Sequence, residues 1–337
     1  MFSSSSQKNI FSKNKFNTID NDVDINNKKS SVNILSNQLI DYEIIGDYKL
    51  NLNETLPGAR NTYYGINIKP KEEVAIKREL ISTKNPTLAF EKKMYEDFKG
   101  GIGIPKLYWY GTQGNYNILV RELLDDSLED YFQSCNNKFT LLTTLMLADQ
   151  MLSRIEFVHS RNYIHGNIKP GHFLMGRGSM KNQVYIIPFR GSKRYRDPIS
   201  GMHIPYKDRL GFSGTYTFAS INQLKGNELS RRDDIEGLGY TLLYFLKGSL
   251  PWNNIKAKTD KERVEKIKEI KMNTSLDIIC DGCPKEFITF IQYSRDLKFE
   301  DRPDYDYLRK ILKQIRKKNN LIINYKFDWL LKNNNNK

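Results

Sequence analysis

The chain's hydrophobic pattern changes period along its length, from short β-rich runs to longer runs with helical spacing. After residue 48, "YYGINI" and "EEVAIKREL" are separated by the turn-like "KPK", which predicts antiparallel strands, and "NYNILVREL" predicts another. Between them "TLAFEKKMYEDF" carries Leu88, Glu91, Lys92 and Tyr95 at helical spacing and runs out at Gly100 and Gly101. "TLLTTLMLADQMLSRIEFVHS" sets Leu141, Leu145, Ala148, Leu152 and Ile155 on one apolar stripe, with Thr140 placed to cap it, and so predicts a buried helix. "RRDDIEGLGYTLLYFLKG", "KERVEKIKEIKM", "PKEFITFIQYSRDL" and "DYDYLRKILKQI" continue the helical pattern. A small strand-rich part followed by a larger helical part predicts an α+β fold of two lobes about a cleft.

Composition bounds this picture. The length of 337 residues suits one large domain or two lobes, and the 20 Tyr and 17 Phe supply enough apolar surface for a folded core. Residues 1–40 are dominated by Ser, Asn, Lys and Asp, which predicts a disordered tail, and 333–337 read the same way. The net charge of +14 attracts nucleic acid, acidic proteins or anionic lipid without choosing among them. Lys and Arg are scattered among Asp and Glu, and no basic–aromatic strip for nucleic-acid bases is present. Cys135, Cys280 and Cys283 are too few for a secreted disulfide framework. "CDGC" has half the ligands of a closed zinc site and no second half, so free thiols in a reducing compartment are expected. No apolar run reaches the length of a signal peptide or a transmembrane segment, which points to a cytoplasmic or nuclear protein.

Several longer stretches then fall in a telling order: "VAIK" at 74–77, the helix with Glu91, "IHGNIKPGHFLM" at 164–175, "IIPFRGSKRYRDP" at 186–198 and "SRRDDIEGLGY" at 230–240. With "GGIGIP", "LADQM", "SRIEFVHS", "HIPY", "GSLPW" and "FDW", residues 48–332 resemble the casein kinase I family of serine/threonine protein kinases. The resemblance implies a bilobal kinase fold with an N-lobe over about 48–122 and a C-lobe over about 125–332. It also implies a cleft built to move the terminal phosphate of ATP. That chemistry needs the phosphates held, Mg²⁺ held, and a carboxylate to position the acceptor hydroxyl.

The residues at the matching positions depart from that chemistry. Where the family has His-Arg-Asp, then Lys, then Asn, this chain has His165, Gly166, Asn167, Lys169 and His172. An amide at Asn167 cannot accept a proton at neutral pH, a loss of about 10²–10⁴ in rate by itself. His172 replaces an amide oxygen with imidazole, a poor ligand for a hard cation. The family's Asp-Phe-Gly reads Pro188, Phe189 and Arg190, so the main metal carboxylate is absent and a fixed positive charge stands beside its place. Counted back from Lys77, the three glycines of the phosphate loop fall on Thr55, Pro57 and Arg60, with Gly58 one place out of register. Arg121 takes the apolar position behind the adenine and needs a partner, for which Glu91 and Glu122 are the candidates. On the substrate side, the basic pocket for acidic or phosphorylated substrates is reduced to Lys256, its two arginines being Gly166 and Thr217.

What survives is the scaffold: the Lys77–Glu91 spacing, His165 and Phe189 beside the loop, and Asp234 beneath it. A residual nucleotide site would use Lys77, Glu91, Arg60 and Lys169, giving weak ATP binding and opposing Mg²⁺. The expectation is a casein kinase I-like pseudokinase that binds protein partners and needs no cofactor. A slow serine/threonine kinase with rearranged metal ligands and a basic nucleic-acid or membrane adaptor stand as alternatives.

Overall fold

In the computed structural model of the protein, residues 32–35, 38–57 and 59–335 are described. The N-terminal part is one antiparallel sheet of seven strands: β1 (Val32–Leu35), β2 (Gln38–Ile45), β3 (Tyr48–Thr55), β4 (Thr62–Asn67), β5 (Glu73–Leu80), β6 (Leu107–Gln113) and β7 (Tyr116–Glu122). Their order across the sheet is β1-β2-β3-β4-β5-β7-β6. Helix α1 (Leu88–Asp97) lies between β5 and β6 in the chain. Strand alternation places its own site residue. Val74 and Ile76 point into a cluster with Ile45, Leu50, Ile118 and Val120, so Ala75 and Lys77 point to the opposite face. Helix α1 has no cap from Thr87; instead the Glu79 carboxylate accepts from the N–H of Thr87 (2.8 Å) and of Leu88 (3.1 Å), a negative charge at a helix N-terminus.

The sheet begins earlier than the sequence pattern suggests. Strand β1 and the first residues of β2 fall within 1–40, the stretch read as a tail, while residues 1–31, 36 and 37 of it lie outside the described residues. Strand β2, QLIDYEII, pairs with β3, Tyr42 opposite Asn51 through Ile45 opposite Tyr48, and Ile45 joins the sheet's apolar cluster, so the pattern that predicts strands after residue 48 already holds from Gln38.

The C-terminal part is helical. Helix α2 (Leu128–Ser134) starts with a reciprocal Ser127–Asp130 capping box, and the 20-residue α3 (Leu141–Ser160) is capped by Thr140, whose Oγ1 accepts from the Thr143 N–H at 3.2 Å. Leu145, Ala148, Leu152 and Ile155 of α3 enter the main core. Four short strands follow, β8 (Tyr163–Ile164), β9 (Phe173–Met175), β10 (Val184–Ile186) and β11 (Lys193–Arg194). The pairs β9–β10 and β8–β11 brace the loops between them. Then come α4 (Ile221–Leu224), α5 (Arg231–Lys247), α6 (Asp260–Asn273), α7 (Leu276–Ile279), α8 (Glu286–Asp296), α9 (Tyr305–Lys318) and α10 (Asp328–Asn335). Helix α5 stops at Gly248, whose φ of 84° only glycine adopts freely. Helix α10 runs into 333–337, which sequence had placed in a tail; residues 336 and 337 lie outside the described residues. This small strand-rich part and larger helical part make the bilobal α+β fold.

One buried cation ties the helical part to the segment over the cleft. Lys271 of α6 is 0% exposed, and its Nζ donates to the carbonyls of Tyr216 (3.2 Å), Thr217 (3.1 Å) and Ala219 (2.6 Å). The rings of Tyr240 and Trp252 lie 4.2 and 4.6 Å from it. Cys135, Cys280 and Cys283 are free cysteines, and among the described residues no helix is long and apolar enough to cross a membrane.

Candidate functional site

The site forms where the loop after β8, the loop after β10, the inner face of β5 and the turn between β3 and β4 meet. Lys77, sent to this face by strand alternation, is ion-paired with Glu91 of α1. Glu91 is buried, 2% exposed, so the pair is a desolvated strut that fixes α1 against the sheet. Arg121 does not compete for it. Also buried, Arg121 donates through Nη1 to the Glu122 main-chain carbonyl at 2.8 Å, so the partner is that backbone oxygen and neither of the two expected carboxylates. Burial raises the Tyr95 hydroxyl's pKa, while the charges of Arg121 and Glu91 act on it in opposite directions, which places all three at the back of the cleft.

Beneath α1 the aromatic packing is intact. Phe189 is 0% exposed, with its ring centroid 4.8 Å from Phe98, 5.5 Å from Tyr95 and 6.3 Å from His165. Below them Asp234, on the first turn of α5, accepts from the N–H groups of His165 (2.7 Å) and Gly166 (2.8 Å) and from His159 Nε2 (2.9 Å). Burial alone would raise the Asp234 pKa. The hydrogen bonds and charge of His159 and the neighbouring loop outweigh it and hold the carboxyl below its ordinary range. The loop is therefore nailed down by its backbone, whatever side chains it carries.

The loop after β8 is tied to the segment after β10 through His172. His172 Nδ1 lies 2.8 Å from the Asn167 carbonyl, and the Ile187 N–H donates to the His172 carbonyl at 2.9 Å, so Asn167, Lys169, His172 and Pro188 form one cluster. Burial, reinforced by the positive charges of Lys169 and Arg190, pushes the His172 pKa well down. Its ring is a neutral imidazole with Nδ1–H spent on the Asn167 carbonyl. Lys169 is half-buried, and burial and then Arg190 lower its pKa too. Pro188 contributes no ligand atom. Among the described residues no group of three or more His, Cys, Asp and Glu side chains is arranged to hold a metal ion.

The turn between β3 and β4 is closed upon itself. The Leu56 N–H donates to the Thr62 carbonyl (2.8 Å), the Ala59 N–H to that of Leu56 (3.2 Å), and the Thr62 N–H to that of Ala59 (3.3 Å). Pro57 has no N–H, Thr55 pairs with Tyr63 in the sheet, and Arg60 is exposed, its carbonyl taken by Thr62 Oγ1 at 3.2 Å. The amides of Leu56, Ala59 and Thr62 are thus spent within the turn and do not face a phosphate. Gly58 lies outside the described residues.

Two features escape a reading of the sequence. Gly166 has φ 72°, and Gln223 of α4 reaches over it, donating through Nε2 to the Gly166 carbonyl (3.1 Å) and to that of Ser213 (2.6 Å). A Cβ on Gly214 would fall 2.6 Å from that same Nε2 and 3.6 Å from Asn167 Oδ1, so the segment passes directly over Asn167. The second is Lys271, which grips the carbonyl of Thr217; Trp252 Nε1 donates to that carbonyl as well, at 2.8 Å. Lys256 is exposed. No local sequence signal marks either contact, since Gln223 and Lys271 lie far along the chain from what they hold.

Lys169 and Arg190 thus set positive charge about a loop, residues 165–172, that carries no carboxylate. The family model described as protein kinase domain matches residues 60–314, the span that contains the Lys77–Glu91 pair, the 165–172 loop and Asp234. With more than half of the chain so matched and the bilobal fold in place, this protein belongs to the protein kinase family.

Proposed function

We propose that this chain is a casein kinase I-like pseudokinase: a kinase-shaped module that binds protein partners and transfers no phosphate. The observation that supports the reading is that Asn167, His172 and Pro188, which the casein kinase I resemblance sets at the positions of the base and both metal ligands, carry an amide, an imidazole whose pKa burial pushes well down, and a proline, and that His172 ties the two segments together. These groups act as a unit, so catalysis fails with them together. The closed turn at 56–62 and the charge of Arg190 work in the same direction, against ordered phosphates and against a dication. Lys77, Glu91, Lys169 and Arg60 leave a cationic cleft that takes ATP weakly and without Mg²⁺. No cofactor is required for the binding role.

The test is transfer of label from radiolabelled ATP to casein with Mg²⁺ or Mn²⁺. Incorporation should equal that of Lys77→Met protein at every metal concentration. Transfer that Lys77→Met abolishes would establish a working kinase and end this reading.

A further inference from the structure

The inner face of the sheet holds a buried guanidinium that no carboxylate neutralises. In the pairing of β5 with β7, Ala75 lies opposite Arg121 and Lys77 opposite Leu119, so Arg121 shares the face of Lys77 and Leu119. Leu119 belongs to the main core with Tyr95 of α1, while Ile118 and Val120 join the separate cluster on the other side of the sheet. Arg121 therefore points to the side of α1 and the cleft.

The two candidate carboxylates are committed elsewhere. Glu91 pairs with Lys77, and Glu122 accepts from the Tyr185 hydroxyl (3.3 Å) and the Lys106 N–H (3.1 Å). The buried Tyr95 hydroxyl, on which the charge of Arg121 acts, has no hydrogen-bond partner and so takes no donor from it. Of the Arg121 nitrogens, Nη1 is spent on the Glu122 main-chain carbonyl. Nε and Nη2 have no partner among the described residues, yet they are not sealed from solvent, although the residue is only 5% exposed. A guanidinium stays charged and offers donors alone, so whatever meets these two nitrogens has to accept.

We propose, building on the residual nucleotide site described above, that Arg121 makes the cleft selective for guanine nucleotides over ATP. The guanine edge presents O6 and N7, adjacent acceptors that one guanidinium takes together. The adenine edge sets an amino group where O6 would be, so a donor meets a donor, and the Glu122 carbonyl that could have received that amino group already receives Nη1. Lys77 stands on the same face two residues along β5 from Ala75, about 7 Å away, on the side to which a ribose can carry phosphates from the base.

Full-length protein is titrated calorimetrically, in EDTA so that no metal contributes, with GTP, ITP, ATP, diaminopurine riboside triphosphate and inorganic triphosphate. GTP should bind about tenfold or more tighter than ATP. ITP, which keeps the carbonyl at C6 and lacks the amino group at C2, should follow GTP. The diaminopurine nucleotide, with amino groups at both positions, should follow ATP. Inorganic triphosphate should bind more weakly than GTP, and Arg121→Met should bring GTP down to the level of ATP. ATP binding as tightly as GTP overturns the proposal. So do ITP that follows ATP, triphosphate that matches GTP, an undiminished GTP preference in Arg121→Met, and the absence of binding by every nucleotide. The ranking within the unaltered protein decides the matter even where Arg121→Met fails to fold. Any of these failures leaves the absence of phosphate transfer intact, whereas label transfer from ATP in the assay above ends the pseudokinase reading and leaves the ranking of bases as measured.

Discussion

Replacing Lys271 by Met keeps the length of the side chain and removes its amine, and the structure says what that should cost. Three carbonyls share Nζ, at 3.2, 3.1 and 2.6 Å. That of Thr217 keeps Trp252 Nε1 as a donor, so Tyr216 and Ala219 are the carbonyls that lose theirs. With the site 0% exposed, water does not replace the amine. Each orphaned acceptor costs about 1–3 kcal/mol, and the lost contacts with the Tyr240 and Trp252 rings add about 1 kcal/mol. Burial pushes the Lys271 pKa down against the pull of Glu236, so removing the amine also relieves a desolvation cost. The net expectation is destabilisation by about 3–5 kcal/mol, or roughly 6–12 °C in melting temperature. Urea unfolding followed by circular dichroism measures the first quantity. Hydrogen exchange measures its locality, since amides over 215–219 should lose protection before those of α3. A change under about 1 kcal/mol, or unaltered protection over 215–219, would refute the view that Lys271 holds this segment in place.

Two further outcomes follow from the cleft. In Asn167→Asp/His172→Asn/Pro188→Asp/Arg190→Gly the ligands return and the opposing charge leaves, so Mg²⁺ should raise the melting temperature in the presence of ATP by several degrees, as about 2.7 kcal/mol of ligand stabilisation does at a hundredfold excess over Kd. The unaltered chain should show no Mg²⁺-dependent shift, and a shift of equal size in it would contradict the metal argument. Asp234 is held below the ordinary carboxylate range, so its unfolded form binds a proton first as pH drops. Its contribution is present above about pH 4 and disappears as pH falls through the depressed value. Acid unfolding of Asp234→Asn should have a correspondingly shallower pH dependence below pH 4, checked by melting temperature across pH 2–6 (roughly the span over which a carboxyl titrates).

The sequence discloses most where one short stretch contains both period and chemistry. The kinase resemblance carried by "VAIK" and the helix with Glu91 implied the Lys77–Glu91 pair, and Thr140 announced the start of α3. It discloses little where the decisive partner is remote. "KERVEKIKEIKM" reads only as a helix, yet Lys271 is buried because carbonyls some fifty residues upstream close around it. Gln223 looks like an ordinary polar helix residue until Gly166 and Ser213 are placed beneath it. Arg121 illustrates a milder failure: its need for a partner was legible from charge and position, but a main-chain oxygen of the very next residue satisfies it. β2 differs: QLIDYEII carries the apolar residues of a strand, and the tail boundary at residue 40 was drawn through it.

The strut between Lys77 and Glu91 and the Gln223 bridge over Gly166 have a consequence for how such a molecule is controlled. Enzymes of this shape gain from moving between open and engaged arrangements, because turnover requires release. Here the engaged arrangement is already held by contacts internal to the chain. A binder that recognises it therefore loses no affinity to a poorly populated competent state. Occupancy then follows abundance and proximity, so the timing of assembly rests with whatever sets the amount of each partner and brings them together.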